Sequence, residues 1–254
     1  MDPGFRSPLV DFFRRGEVAP DVRRMAAEGA LAPRAHEQLA LLILLSDDPD
    51  PAIAAVANGT LDVLPPEALQ SFLARSDVPQ PMRDFFAARG IRPGDVPAAD
   101  AEGPILDPDT EASTGADEQE DEHLVLSSLP IVERMKLAMK GTRTQRAQLI
   151  RDSNKLVAAA VLSSPKLTDA EVESFAKMAN VTEEVLRSIA MNRAWVKNYG
   201  VVAGLTRNPK TPPAISMQMV QRLNDRDLKM LASDRNVPEA VRLAARKFVV
   251  KGLK

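Results

Sequence analysis

Cysteine is missing from this chain altogether, so it has no disulfide framework, no thiolate nucleophile and no Cys-ligated zinc. Histidine is almost as scarce: His36 and His123 are the only two, too few for a histidine metal site, and no cofactor is implied. Aromatic residues make up 4% of the sequence, with one Trp and one Tyr, which argues against a β-sandwich or barrel and for helices packed through aliphatic side chains. Long apolar runs are lacking too. The longest, Leu39 to Leu45, falls far below the roughly 20 residues of a membrane span and reads as a buried core helix. The N-terminus begins with Asp2 and lacks the basic, apolar and small-residue order of a secretion signal, so the expectation is a soluble, untargeted, cytoplasmic chain. Phosphate-binding glycine loops, Gly-x-Ser-x-Gly, His-Glu-x-x-His and calcium-loop acid patterns are all missing. Carboxylate neighbours such as Glu183 and Glu184 point apart on a helix and make poor acid–base pairs.

What is present is ordinary globular material, 44% hydrophobic and 27% charged over 254 residues. From about residue 5 to 91, prolines stand where helices begin: Pro8, Pro20, Pro33, Pro66 and Pro79. Proline suits a first helical position because the N–H it lacks would be unpaired there anyway. Between them apolar residues recur at three-four spacing, as in Leu9 with Phe12 and Phe13, or Leu69 with Phe72 and Leu73. Residues 1–92 are therefore expected to form an N-terminal helical domain. From 93 to 127 the character changes: there is no aromatic residue, no Lys or Arg, and eleven acidic residues. Such a segment buries too little to offset its ordering entropy, and the expectation is a disordered acidic linker.

Residues 128–254 return to helices. Thr142 with Gln145, and Thr168 with Glu171, have the spacing of capping boxes, and Gly141 is placed to stop the helix before the first of them. Eight or nine helices of about ten residues are implied, too many and too short for a simple bundle. One pattern is written twice: Ala160-Val-Leu-Ser-Ser-Pro-Lys-Leu-Thr168 and Gly204-Leu-Thr-Arg-Asn-Pro-Lys-Thr-Pro212, with Pro165 and Pro209 standing 44 residues apart. Each copy ends an apolar helix, turns through Pro-Lys and starts another helix behind a Thr, the grammar of stacked helix pairs. Weaker echoes stand at Asn180-Val181-Thr182, Asn236-Val237-Pro238 and Asp77-Val78-Pro79. This arrangement resembles the HEAT, armadillo and leucine-rich-variant repeats of the bacterial α-solenoids. The resemblance implies an all-α solenoid of short antiparallel helix pairs, in two helical sections joined by the linker. It also implies a binding scaffold rather than a catalyst, and it carries over no active site.

Charge supplies the functional clue. Residues 1–127 hold 10 Lys or Arg against 24 Asp or Glu, and residues 128–254 hold 23 against 11. A basic helical-repeat surface would attract an acidic protein, a nucleic acid or an anionic lipid, with the acidic linker competing in cis; equally, such cations simply solvate helix faces. The candidate contact residues are Arg193, Trp195, Lys197, Asn198 and Tyr199, which unite the only Trp and Tyr with cations and amides. On one helix Trp195 and Tyr199 would share a face. As a patch they suit a peptide backbone or stacked bases; as core, Trp195 and Tyr199 pack between repeats while Asn192 and Asn198 cap helices. Arg151, Lys155, Lys166 and Lys210 lie at turns of the two copies and would line an edge or stand as solvated tips. Three functions follow in order: a non-catalytic adaptor for a protein partner, a nucleic-acid or anionic-surface binder, and a helical-repeat enzyme acting on nucleic acid, which needs a buried carboxylate beside an aromatic.

Overall fold

In the computed structural model, residues 2–99, 103–108 and 126–252 are described. Among them there is no strand, and fifteen α-helices follow one another, through short turns except where residues 89–130 separate the sixth from the seventh. None is long and apolar enough to cross a membrane. Two compact units form: residues 1–149 with 159–166, and residues 150–158 with 167–254.

The first unit contains α1 (Pro8–Arg14), α2 (Pro20–Ala27), α3 (Ala35–Leu45), α4 (Pro51–Asp62), α5 (Pro66–Leu73), α6 (Gln80–Ala88), α7 (Ile131–Lys140) and α8 (Arg143–Leu149), with the later part of α9 (Lys155–Ser163). Pro8, Pro20 and Pro66 open α1, α2 and α5 as expected, Pro51 opens α4, and Pro79 stands just before α6 as its N-cap. Pro33 does not open a helix: Ala32 takes a left-handed backbone (φ 43°), Arg34 is extended, and α3 starts only at Ala35. The Leu39–Leu45 run is the expected core helix, with Leu39, Ala40, Leu42 and Ile43 wholly buried. At about 1.5–3 kcal/mol for each large aliphatic side chain, α3 is the largest single apolar contribution to this unit. Gly141 ends α7, and the Thr142–Gln145 box starts α8, with Thr142 N donating to Gln145 Oε1 at 2.9 Å and Gln145 N to Thr142 Oγ1 at 3.3 Å.

The second unit contains the start of α9, then α10 (Asp169–Lys177), α11 (Glu183–Met191), α12 (Tyr199–Arg207), α13 (Pro213–Val220), α14 (Asp225–Ser233) and α15 (Glu239–Gly252). Thr168 and Glu171 form the expected capping box at α10, and Thr182 and Asn224 cap α11 and α14. Within this unit α12 packs on α10, α11 and α13, and α15 lies against α13 and α14, a neighbour-on-neighbour order like that of a helical repeat. Gly204 permits the α10–α12 approach: a Cβ there would stand 3.1 Å from the Ala176 Cβ.

The 44-residue echo has a physical basis, although it spans three helices, α10 to α12, rather than one pair. In both copies the polar residue just past a helix reaches back to the carbonyl end of the helix two earlier. After α9, Ser164 Oγ donates to Met139 O of α7 at 2.6 Å. After α12, Asn208 Nδ2 donates to Ala176 O and Met178 O at the end of α10, both at 2.9 Å. Each thereby satisfies carbonyls that no intrahelical N–H can reach. The same side chains accept from the amide two residues on, Lys166 N at 3.3 Å and Lys210 N at 3.0 Å, which shapes the Pro-Lys turn. Asp48, Asp152, Asn192 and Asp234 make the same local bond at other junctions.

Of the linker expected at 93–127, residues 93–99 and 103–108 carry no helix, and Leu126 to Ser128 form a short 3-10 turn. Gly94 N donates to Gln70 O, Ala98 N to Ser71 O, and the Arg75 guanidinium to Ala98 O, so the first stretch runs along α5. Residues 100–102 and 109–125, His123 among them, lie outside the described residues.

Candidate functional site

The residues singled out from the sequence fall in several places. Lys166 belongs to the first unit, and the other eight to the second. Arg151, Lys155, Lys166 and Lys210 are all exposed. Lys155 is paired with Glu184 at 2.5 Å, and its ammonium is the main cause holding the Glu184 carboxyl below the usual range.

Trp195 and Tyr199 do not share one helix. Asn192 ends α11 and accepts from Ala194 N at 2.9 Å, residues 195–197 form a 3-10 turn, and Asn198, extended at ψ 121°, caps α12 by accepting from Gly200 N at 2.8 Å. The helix must break there because Asn198 is bonded as an N-cap, so Arg193 and Lys197 lie in the junction and Tyr199 opens the next helix. Arg193 and Lys197 are exposed, Trp195 and Asn198 are half-buried, and Tyr199 keeps 41% of its surface. The Tyr199 hydroxyl donates to Asp227 and accepts from Asn224 N at 3.2 Å, while Arg222 donates to Val196 O at 2.5 Å. This ties the junction to the start of α14. Burial first and the Asp227 carboxylate second push the Tyr199 phenol up. Its polar groups are therefore engaged within the unit, and what the cluster offers outward is aromatic surface and two cations.

Sequence reasoning missed a more distinctive surface in the same unit. Met217 of α13 and Ala240, Leu243, Ala244, Lys247 and Phe248 of α15 line a groove of about 330 Å³. Val241 and Ala245 turn another side of α15 into the core, so Ala240, Leu243, Ala244 and Phe248 form a second apolar stripe on that helix, with Lys247 at its edge. Leu243 and Met217 are 47% and 41% exposed. Of the eight large hydrophobic side chains that stand exposed among the described residues, six lie in this unit, three of them methionines. The signal was legible as an α15 pattern apolar on more than one face, but helix periodicity alone does not say which face stays bare.

In the first unit, a second feature was hidden in the acidic stretch. Residues 103–108 lie on α3 as an irregular segment, bent at Gly103 and Ile105 and turning at Pro108: Gly103 O accepts from Ala35 N at 3.0 Å, and Gln38 Oε1 accepts from Ile105 N at 2.8 Å and Leu106 N at 3.0 Å. Gln38 Nε2 donates back to Leu106 O at 2.5 Å, and Asp107 pairs with Lys140 at 2.6 Å. The one available signal was that Ile105-Leu106 is the only adjacent pair of large aliphatic residues between 93 and 123. Also in this unit, a cleft of about 510 Å³ between α2, α4 and α7 has Arg24, Glu28 and Lys136 around a floor that includes Met25 and Ile53.

Among the described residues, no three His, Cys, Asp or Glu side chains group to hold a metal. Three described carboxylates are buried: Glu37 accepts from Ser163 Oγ at 2.8 Å, Glu171 is the capping-box acid of α10, and the Asp48 side chain, 5% exposed, pairs with Arg23 at 2.5 Å. Compared with known proteins, the chain matches no family model, no curated protein and no solved structure.

Proposed function

We propose that the chain is a non-catalytic protein-binding scaffold of the HEAT, armadillo or leucine-rich-variant kind, working in a bacterial cytoplasm, and that its second unit carries the contact surface. The observation that supports this reading is the groove between α13 and α15, where Met217, Leu243 and Phe248 form an apolar recess edged by Lys247. An apolar recess with a polar rim is the usual anatomy of a protein contact, and methionine adapts to varied partner shapes. The surrounding charge favours an acidic partner, since this unit holds seventeen Lys or Arg against ten Asp or Glu. On this reading Arg193, Lys197 and Lys210 steer encounter, and Trp195 and Tyr199 add peripheral contact. The test is affinity capture from a native lysate with wild-type chain and with Met217→Asp/Leu243→Asp. Discrete proteins retained by wild type after nuclease treatment and lost from the variant are expected; equal retention by both would refute the groove.

The charge excess favours a second reading, a nucleic-acid or anionic-surface binder. It is separated by salt: each neutralised phosphate lowers log affinity by about 0.9 per log unit of salt. Binding of a random-sequence duplex with a steep slope, unaffected by Met217→Asp/Leu243→Asp, would support that reading in place of the first.

A further inference from the structure

The segment 103–108 on α3 is held as a ligand is held. Gln38 is 2% exposed, and its side chain is bonded to the backbone of Ile105 and Leu106 through both ends of the amide. A buried amide needs partners of this kind, because an unpaired one is costly. The partner it selects is a bent backbone that brings two successive N–H groups and one C=O to the same amide, whatever its side chains. Next to it, Leu106 sits over Gly29, where a Cβ would meet the leucine Cδ2 at 3.2 Å and where φ is +75°, so only glycine suits both the turn and the seat. Thr60, whose Oγ1 donates to Ala27 O at 2.6 Å, joins α4 to α2 and forms the adjoining wall. Beyond it Lys140 meets the carboxylate of Asp107, and Ala35 N, an end amide of α3 that has no side-chain cap, meets Gly103 O.

We propose that this hollow of Gly29, Ala35, Gln38, Thr60 and Lys140 is a peptide-binding groove, filled in cis by Ile105-Leu106-Asp107. It takes in exchange a segment of another protein that adopts the same bend, with a large aliphatic residue, a leucine and an acid in succession. The three features read three properties of one segment: Gln38 the backbone, the Gly29 seat the leucine, and Lys140 the acid. The occupant's Ile105, Leu106 and Asp107 are only half-buried. It is replaceable by a competitor of the same chemistry, at the cost of displacing a segment whose tethered concentration is about millimolar. This site lies in the first unit and stands or falls independently of the α13–α15 groove.

The test uses the full chain and a fluorescent peptide copying residues 101–110. In Leu106→Asp the cis occupant loses its seat, and peptide binding by anisotropy should strengthen about tenfold over wild type, as expected for an intrinsic Kd of about 0.1 mM against about 1 mM of tethered competitor. A peptide with the leucine replaced by Asp should not bind. Hydrogen exchange on the wild-type chain gives a second arm that does not depend on the variant folding. The Ile105 and Leu106 amides should exchange well before those of Leu41 and Leu42, and the peptide at millimolar concentration should shift them. Equal, weak binding to both folded chains, or Ile105 and Leu106 amides protected as long as the α3 core, would make the segment a fixed part of the fold and overturn the proposal.

Discussion

Replacing Asn208 by alanine should unfold the second unit far more readily than any comparable change at its other turns. The side chain is 3% exposed and makes three bonds: two donated to the α10 carbonyls of Ala176 and Met178 and one accepted from Lys210 N. At about 1 kcal/mol net for each bond the loss is about 3 kcal/mol, and the carbonyls left unpaired in the interior push it upward. Asn192 at the α11–α12 junction serves as control. It is half-buried and its Oδ1 accepts from Ala194 N and Trp195 N, so Asn192→Ala should cost about 1 kcal/mol. Trp195 is the only tryptophan and lies in this unit, so urea unfolding followed by its fluorescence reports the right transition. A midpoint shift for Asn208→Ala equivalent to less than about 1 kcal/mol, or equal shifts at both positions, would refute the claim that the repeated turn carries the α10–α12 connection.

Other outcomes follow from single interactions. The Arg75 guanidinium, helped by the charge of His36, holds the Asp77 carboxyl below its ordinary 3.8, so this acid stabilises the fold above that pH and the contribution is lost as pH falls through the lower folded value. The Asp77 side chain is 52% exposed, which limits the effect to about 1 kcal/mol or less; wild type and Asp77→Asn, compared by circular dichroism at pH 6 and pH 3, should differ at pH 6 and differ less at pH 3. Raising pH past 10 should cost the second unit stability through Tyr199, whose phenol is favoured in the fold; Tyr199→Phe should show a flatter profile, and an unchanged one would remove the Asp227 bond from the account. Deleting residues 109–122, which hold seven acids and no Lys or Arg, should tighten binding of a generic polyanion at low salt, with the gain shrinking as salt rises. No change at low salt would leave those residues as a spacer.

What the sequence disclosed and what it hid divide along the range of the interactions. Capping boxes at Thr142 and Thr168, the stop at Gly141 and the proline starts of α1, α2, α4 and α5 are settled within one helical turn, so residue identity and spacing are enough. The all-helical class followed from many such local signals agreeing. Pro33 misled because the left-handed Ala32 beside it depends on how α2 and α3 pack, and Trp195 with Tyr199 misled because Asn198 reads equally as helix interior or as cap. The echo was visible while its meaning was not: Ser164 and Asn208 reach carbonyls 25 and 30 to 32 residues back, and no local pattern specifies such a partner. Gln38 and Leu106, 68 residues apart, were hidden for the same reason. The bare stripe of α15 required knowing which side of that helix Val241 and Ala245 turn inward.

The proposed role of the second unit is tested most directly by placing a photo-crosslinking residue at Leu243, in the groove, and in a separate chain at Asn236, an exposed turn position outside it. Irradiated in native lysate after nuclease treatment, the Leu243 chain should form discrete protein adducts that the Asn236 chain does not. Identical adduct patterns from the two positions, or adducts from Leu243 that vanish with nuclease, would contradict a protein-binding groove.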